Sequence, residues 1–435
     1  MADWDILGKS FHLVLQATLN GVLQGGLYAL IALGIVVINK ASGIFNFAHG
    51  WMMFIGALIF WQFYDSPPSD TLLGVTVGLA AFLAVTVVFT LGITAPRPQA
   101  DPPPKTKNRF VRVVHYWRGQ QLVPQRALMF GGAGLVVWGL LVFLLTQSNW
   151  LVLRGAAAAL IASVLIGLLV ERITIRPLLG QPVLTAILMT LAIGFILQGV
   201  TQIVWGPNDH KLDVFKAEQP KASENSSKPP AATGTIVVPV FTFETGEAVT
   251  TETKQTVGTG SAPDYRLKTA SWLGNDLRLK RFLVWGFGIA VATFVGFSLF
   301  FQYTSVGLAL RATAENQVLA ESVGLQVRLM LALSWAMVAV MATIAGVIQG
   351  TGGTGIAILV IPYLALRVFP AVLLGGLESI TGAMVGGLVV GVVEQLTVVY
   401  IDTSAAQQMA PFVVLMIVLI IRPDGLFGQR RIDRV

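Results

Sequence analysis

The chain has 435 residues, of which 54% are hydrophobic and only 12% charged, where a soluble globular domain carries about 25% charged residues. With a mean hydropathy of +0.73, this excludes an ordinary soluble enzyme and points to a polytopic membrane protein. The absence of cysteine excludes disulfides and thiol chemistry, no structural zinc site is expected from four histidines alone, and the net charge of +7 is spread over loops in a way that fits membrane orientation rather than nucleic-acid binding.

A helix that crosses a bilayer needs about 20 mostly apolar residues. The acidic start "MADWDILGK" lacks the basic region of a secretory signal, so the first apolar stretch, 11–39, reads as a span. Further spans are predicted at 43–64, 71–95, 127–146, 150–172, 183–205, 282–301, 329–349, 356–377, 379–400 and 407–421, about eleven in all. The stretch 356–377 is interrupted by Pro362, Arg367 and Pro370. Discontinuous helices are tolerated where neighbours or a cavity satisfy the freed backbone groups. Gly21/Gly25, Gly382/Gly386 and Gly387/Gly391 follow a small-xxx-small spacing, which lets helix backbones approach closely in lipid.

The loop 96–126 is Pro-rich and carries Arg97, Lys105, Lys107, Arg109, Arg112, Arg118 and Arg126 against one acid, Asp101. Arg172, Arg176 and the basic tail after Ile421 fall on the same side when the spans alternate, together with Lys40, Arg311 and Arg328. The positive-inside rule then places the N-terminus outside and the C-terminus in the cytosol. This divides the chain into helices over 1–95, the cytosolic loop 96–126, helices over 127–205, an outer loop 206–281, helices over 282–421 with a cytosolic segment 303–328, and a cytosolic tail 422–435. The outer loop begins with low-complexity sequence, "KAEQPKASENSSKPPAATG", and continues into β-branched runs around "ETGE" that predict a small hairpin. The predicted fold is thus an all-α polytopic membrane protein with a small β-containing outer insertion.

No nucleophile–base, metal-protease or paired-carboxylate motif is present, and no G-x-x-x-x-G-K-[ST] loop, so the chain is not expected to bind ATP in the P-loop manner. The telling groups are polar residues inside spans, which face a bundle interior or a cavity. They are Asn20, Gln24, Asn46, His49, Gln198, Arg367, Glu394 and Gln395. Interhelical hydrogen bonding is the plain role for each, and a place on a substrate pathway the sharper one. Asn46 and His49 are three apart and are predicted to share a helix face. Arg367 has three open roles: to snorkel, to pair with Glu394, or to attract an anionic substrate group. An intramembrane acid such as Glu394 would also suit a self-sufficient, proton-coupled transporter or a channel, the alternative reading.

Five stretches in order carry a resemblance. "GGLYALIALGIVVINKASGIFNFAHG" contains Gly26, Tyr28, Ala29, Leu30, Ala32 and Gly34, then Asn46 to Gly50. "ERITIRPLLGQPVLTAILMTLAIGFILQG", "RATAENQVLAESVGLQ", "VLLGGLESITGAMVGGLVVGVVEQL" and "RPDGLFG" follow. Together they resemble the branched-chain amino-acid type of ABC transporter permease. That resemblance implies a non-enzymatic inner-membrane subunit for amino acids or related solutes such as urea or amides. It also implies a second, related permease, two cytosolic ATPase subunits that hold the ATP, and an outer solute-binding protein. A family core of about nine helices, extended here by two between the Asn-Phe-Ala-His-Gly helix and the Glu-Arg turn, gives the same total. The segment from Arg311 to Gly324 looks like the coupling element to the ATPases. A short helix with Ala312, Leu319 and Val323 on an apolar side and wet Glu315 and Glu321 is expected there. Arg311, Ala312, Glu315, Asn316, Ala320 and Gly324 are its candidate contacts, and a charge at Ala320 or Gly324 is expected to disturb docking while leaving the spans folded.

Overall fold

The computed structural model describes residues 5–6, 9–65, 94–96, 120–122, 151–178, 182–212, 214, 265–267, 277–352 and 354–428. The predicted spans 71–95 and 127–146, the basic loop and the predicted hairpin around "ETGE" lie almost wholly outside the described residues.

The described chain is overwhelmingly helical. The longer helices are α1 (Phe11–Ser42), α2 (His49–Asp65), α3 (Leu151–Val170), α4 (Val183–Trp205), α5 (Arg281–Tyr303), α8 (Val327–Gly350), α11 (Ile380–Ile401) and α12 (Ser404–Ile421). Four short ones lie between: α6 (Ser305–Glu315), α7 (Gln317–Ser322), α9 (Ile361–Arg367) and α10 (Phe369–Gly375). Among the described residues, six helices are long and apolar enough to cross a membrane: α1, α3 with its continuation to Leu178, α4, α5, α8 and α11. Among the described residues there are three two-stranded ribbons, one of them Tyr265–Leu267 paired with Leu277–Leu279 within the stretch 206–281.

Helix α1 lies at the centre, its residues from Gly25 to Ile38 buried without interruption. At 32 residues and about 1.5 Å per residue it exceeds the thickness of a hydrocarbon core, which tilt accommodates. It ends at Gly43, in the left-handed region at φ 69°, whose N–H donates to Asn39 O at 2.7 Å. The most extensive packing of α1 is against α11. A Cβ on Gly25 would lie 2.7 Å from Leu388 Cα, and one on Gly21 2.6 Å from Val392 Cα. The small-residue spacing therefore marks a true backbone contact. On the α8 side of α1, the helices α2, α3 and α8 pack on one another and bury Trp335 completely.

Two predicted spans differ in the structure. The stretch 43–64 becomes helical only at His49, because Asn46 ties down a turn: its Oδ1 accepts the Ala48 N–H at 3.0 Å and its carbonyl the His49 N–H at 3.3 Å. Asn46 and His49 therefore do not share a helix face. The stretch 356–377 is a turn followed by the short α9–α10 unit. Pro370 supplies no N–H and clashes with the carbonyl four residues back, which sets the joint at Val368. At about 1.5 Å per residue, the run Ile361–Gly375 falls short of the roughly 30 Å of a hydrocarbon core.

Hydrogen bonds tie the elements at both ends of the bundle. At the end where α1 starts, Gln16 and Arg278 exchange bonds of 2.5 and 2.8 Å, and His210 pairs with Ile356. At the other end, Asn39 donates to Leu377 O, Lys40 to Glu378 O and Arg176 to Arg328 O.

Candidate functional site

The polar centre of the bundle joins α1, α9 and α11. Glu394, on the buried side of α11, is 1% exposed. Its Oε1 accepts the Arg367 Nε–H at 3.0 Å and its Oε2 the Tyr28 hydroxyl at 2.7 Å. Gln24 lies one turn before Tyr28 on α1. Of the three roles open to Arg367 in the sequence, the pair with Glu394 is the one formed. Both carboxylate oxygens are thereby satisfied, as burial of a charged group requires. Arg367 itself stays 31% exposed at its side chain, beside exposed Tyr363 and Leu366 on the same face of α9.

Asn20 sits one turn before Gln24, with its Oδ1 buried and without a hydrogen-bond partner. Gln16 is one turn earlier still, so Gln16, Asn20, Gln24 and Tyr28 form one ridge along α1. This ridge runs from the end bonded to Arg278 to the Arg367–Glu394 pair.

Asn46 is buried and lines a shallow hollow with Ile35, Phe45, Phe47, Leu366 and Phe369. His49 is 1% exposed, and neither ring nitrogen has a hydrogen-bond partner. Its ring fills the space beside Gly34, where an added Cβ would lie 2.7 Å from His49 Cε1. Gln198 lies on α4, which packs on α2, and is not among the groups bonded to the pair. Gln395 is half-buried beside Glu394.

The segment read as a coupling element forms two helices rather than one. Asn316 breaks the run: its backbone is extended, and its Oδ1 accepts the Leu319 N–H at 3.0 Å as the cap of α7. Leu319 and Val323 are 61% and 71% exposed, and Ala312 and Glu315 are exposed on α6. Arg311 is half-buried, its Nη2 donating to Gln302 O at 3.5 Å. Ala320, at 3% exposure, packs against Val327 and Leu331, so it is a packing residue and not a free contact surface. Gly324 has φ 87°, a conformation that strains any other side chain. Charges at these two positions would therefore disturb the fold itself, contrary to the expectation above.

Three arrangements escaped the sequence reading. Tyr28 as a Glu394 partner was signalled only by its place on the Asn20–Gln24 ridge. Glu171 and Arg176 form a two-bond pair, 3.0 Å at each contact. A π-helical turn over Glu171–Ile175 brings residues five apart together there. Arg154, at the start of α3, donates to the carbonyls of Phe63 and Tyr64 at the end of α2, a cation at a helix C-terminus. Among the described residues no group of His, Asp or Glu is placed to hold a metal ion.

Comparison with known proteins gives a consistent result. The model of the family described as "Branched-chain amino acid transport system / permease component" matches residues 17–103 and 126–421. The high-affinity branched-chain amino acid transport system permease protein LivH of Salmonella typhimurium is 23% identical over 432 residues, covering 99% of this chain and 100% of the relative. LivH of Escherichia coli strain K12 is 23% identical with the same coverage. The permease protein BraD of Pseudomonas aeruginosa is 24% identical over 97% of this chain and 98% of its own length. No solved structure matches.

Proposed function

The chain belongs to the branched-chain amino acid transport permease family, and we propose on that ground that it is the membrane-spanning subunit of an ABC importer for branched-chain or similar neutral amino acids. The observation that carries this reading is the end-to-end match to permeases with that printed role, over 99% of this chain and the whole of the relative. In this reading the chain pairs with a related permease in the bacterial inner membrane. A solute-binding protein delivers the amino acid from outside, and two cytosolic ATPase subunits supply the energy.

The exposed apolar residues of α7 and its C-terminal turn, Leu319 and Val323, support a docking role for α6–α7. Apolar groups on a membrane-surface helix are costly in water and suit a groove on a partner. The same end of the bundle carries Lys40, Arg172, Arg176, Arg311 and Arg328, in line with a cytosolic face. The self-sufficient alternative looked to Glu394 as a proton carrier, yet that carboxylate is held by both Arg367 and Tyr28.

The test is purification of a tagged chain from its native membrane in mild detergent. Two ATPases and a sister permease are expected to accompany it. A chain that comes away alone and moves leucine on an ion gradient would refute the importer reading.

A further inference from the structure

We propose that Arg367 receives the carboxylate of the transported solute at the exposed face of α9, where the polar ridge of α1 ends at Tyr28 and Glu394. The proposal rests on the permease reading above and deepens it by naming the group of the solute that is recognised.

The pair is built asymmetrically. Glu394 is 1% exposed and each of its oxygens holds a hydrogen bond, so it is buried within the bundle. Arg367 spends its Nε on Glu394 and keeps 31% of its side chain exposed. The terminal nitrogens of a guanidinium, in a planar fork with the Nε edge already used, are the natural two-point donors to a carboxylate.

An exposed guanidinium within a membrane bundle does not face lipid, because the cost is several kcal/mol. The face it shares with Tyr363 and Leu366 therefore opens on a cavity or on protein. The backbone gives the same answer independently. The α9–α10 unit is too short to span, and the turn before it is irregular. Irregular backbone at membrane depth survives only where protein buries it or water reaches it.

A second observation supplies the approach. The ridge Gln16, Asn20, Gln24 and Tyr28 leads along α1 to Glu394, and Asn20 Oδ1 on it is buried without a partner. An amide so placed is an acceptor left unbonded in this packing, which water or a passing ammonium group reaches only when the helices part. A zwitterion moving along the ridge meets acceptors and donors first and the free cationic edge of Arg367 at the end. A solute with no carboxylate, such as urea or an amide, would gain nothing from that edge.

The test uses the complete importer in proteoliposomes with its binding protein, and leucine as the probe. The double variant Arg367→Gln/Glu394→Gln removes both charges while leaving two amides able to bond each other. If Arg367 serves only to hold Glu394, the double variant restores uptake to within about twofold of wild type, and the proposal is overturned. If Arg367 binds the carboxylate, uptake stays at least about tenfold down although the sister permease still co-purifies. Loss of the sister permease from this variant would put Arg367 in a subunit seam and also overturn the proposal. The chain has no cysteine, so Leu366→Cys adds a measurement that does not disturb the pair. Labelling by a water-soluble cationic thiol reagent, slowed by leucine, is expected. No labelling, or labelling that leucine leaves unchanged, would exclude a solute path there. A wild-type importer that moves no leucine defeats the permease reading itself. A working wild type with an unaffected double variant defeats only the role of Arg367.

Discussion

Arg367 Nε stands 3.0 Å from Glu394 Oε1, across 27 residues of sequence. That contact pins the broken α9–α10 unit to α11, while the Tyr28 hydroxyl holds the other carboxylate oxygen from α1. One carboxylate thus joins three elements that backbone hydrogen bonds cannot connect.

Removing the cation leaves the buried Glu394 with Tyr28 alone. Arg367→Ala is expected to reduce leucine uptake more than Arg367→Lys, since Lys retains a charge for Glu394. The Ala variant should also lose about 1–3 kcal/mol of stability, the cost of a charged group left short of a partner. Uptake and thermal unfolding in detergent, measured on both variants, check this. Equal transport by wild type and Ala variant would remove Arg367 from the mechanism.

The contact of α1 with α11 is set by glycine. Gly25→Val would drive a side chain into the backbone at Leu388, where even a Cβ would sit 2.7 Å from Cα. It is expected to cost more than the roughly 1–3 kcal/mol of ordinary overpacking, because backbone cannot step aside as a side chain can. Gly199 on α4 is the control, since a Cβ there meets nothing within 4 Å. Gly199→Ala should be neutral or stabilising by up to about 1 kcal/mol. Melting temperatures of the purified variants give the comparison.

Much of this arrangement was legible in the sequence, and the exceptions have physical causes. Apolar runs marked the described helices and the Gly-x-x-x-Gly spacings marked sites of close helix approach, though not that α1 and α11 would be the partners, since both signals follow from what lipid demands of a chain. The prolines at 362 and 370 marked a broken element, though not that it would fall short of spanning. Hydropathy cannot tell a buried half-helix from a crossing one. The Asn46 turn was missed because Gly43 to Ala48 is as apolar as a helix, and only the Asn46 side-chain bond shows the backbone leaving it. Asn316 was missed for a related reason: its capping of α7 competes with continuing α6, and propensity alone leaves that contest undecided. The Arg367–Glu394 pair was foreseen as one of three options because a buried charge needs a partner. Tyr28 was not, because tertiary packing brings it to Glu394 across 366 residues.

Docking of ATPases should be probed at the exposed side chains. Leu319→Glu and Val323→Glu are expected to insert normally, keep the wild-type melting temperature and lose ATPase association together with uptake. Ala320→Glu places a charge against Val327 and Leu331 and is expected to lower the melting temperature as well. Pull-down of the ATPases beside thermal unfolding separates the two effects. Full ATPase association by the Leu319 and Val323 variants would assign coupling to another part of the chain.

The charge bias predicts the orientation. A short epitope placed in loop 206–281 is expected to bind antibody on spheroplasts, and the same epitope in loop 96–126 only after permeabilisation. The reverse pattern would invert the bundle and move α6–α7 to the outer face.

The most direct measurement is ATP-driven uptake by the reconstituted assembly. With the chain, its sister permease, the ATPases and a leucine-loaded binding protein in proteoliposomes, leucine should accumulate only when ATP is enclosed on the ATPase side. It should fail to accumulate when this chain alone is omitted. Accumulation without ATP, or without this chain, would contradict the assignment of the protein as an ATP-driven importer's permease.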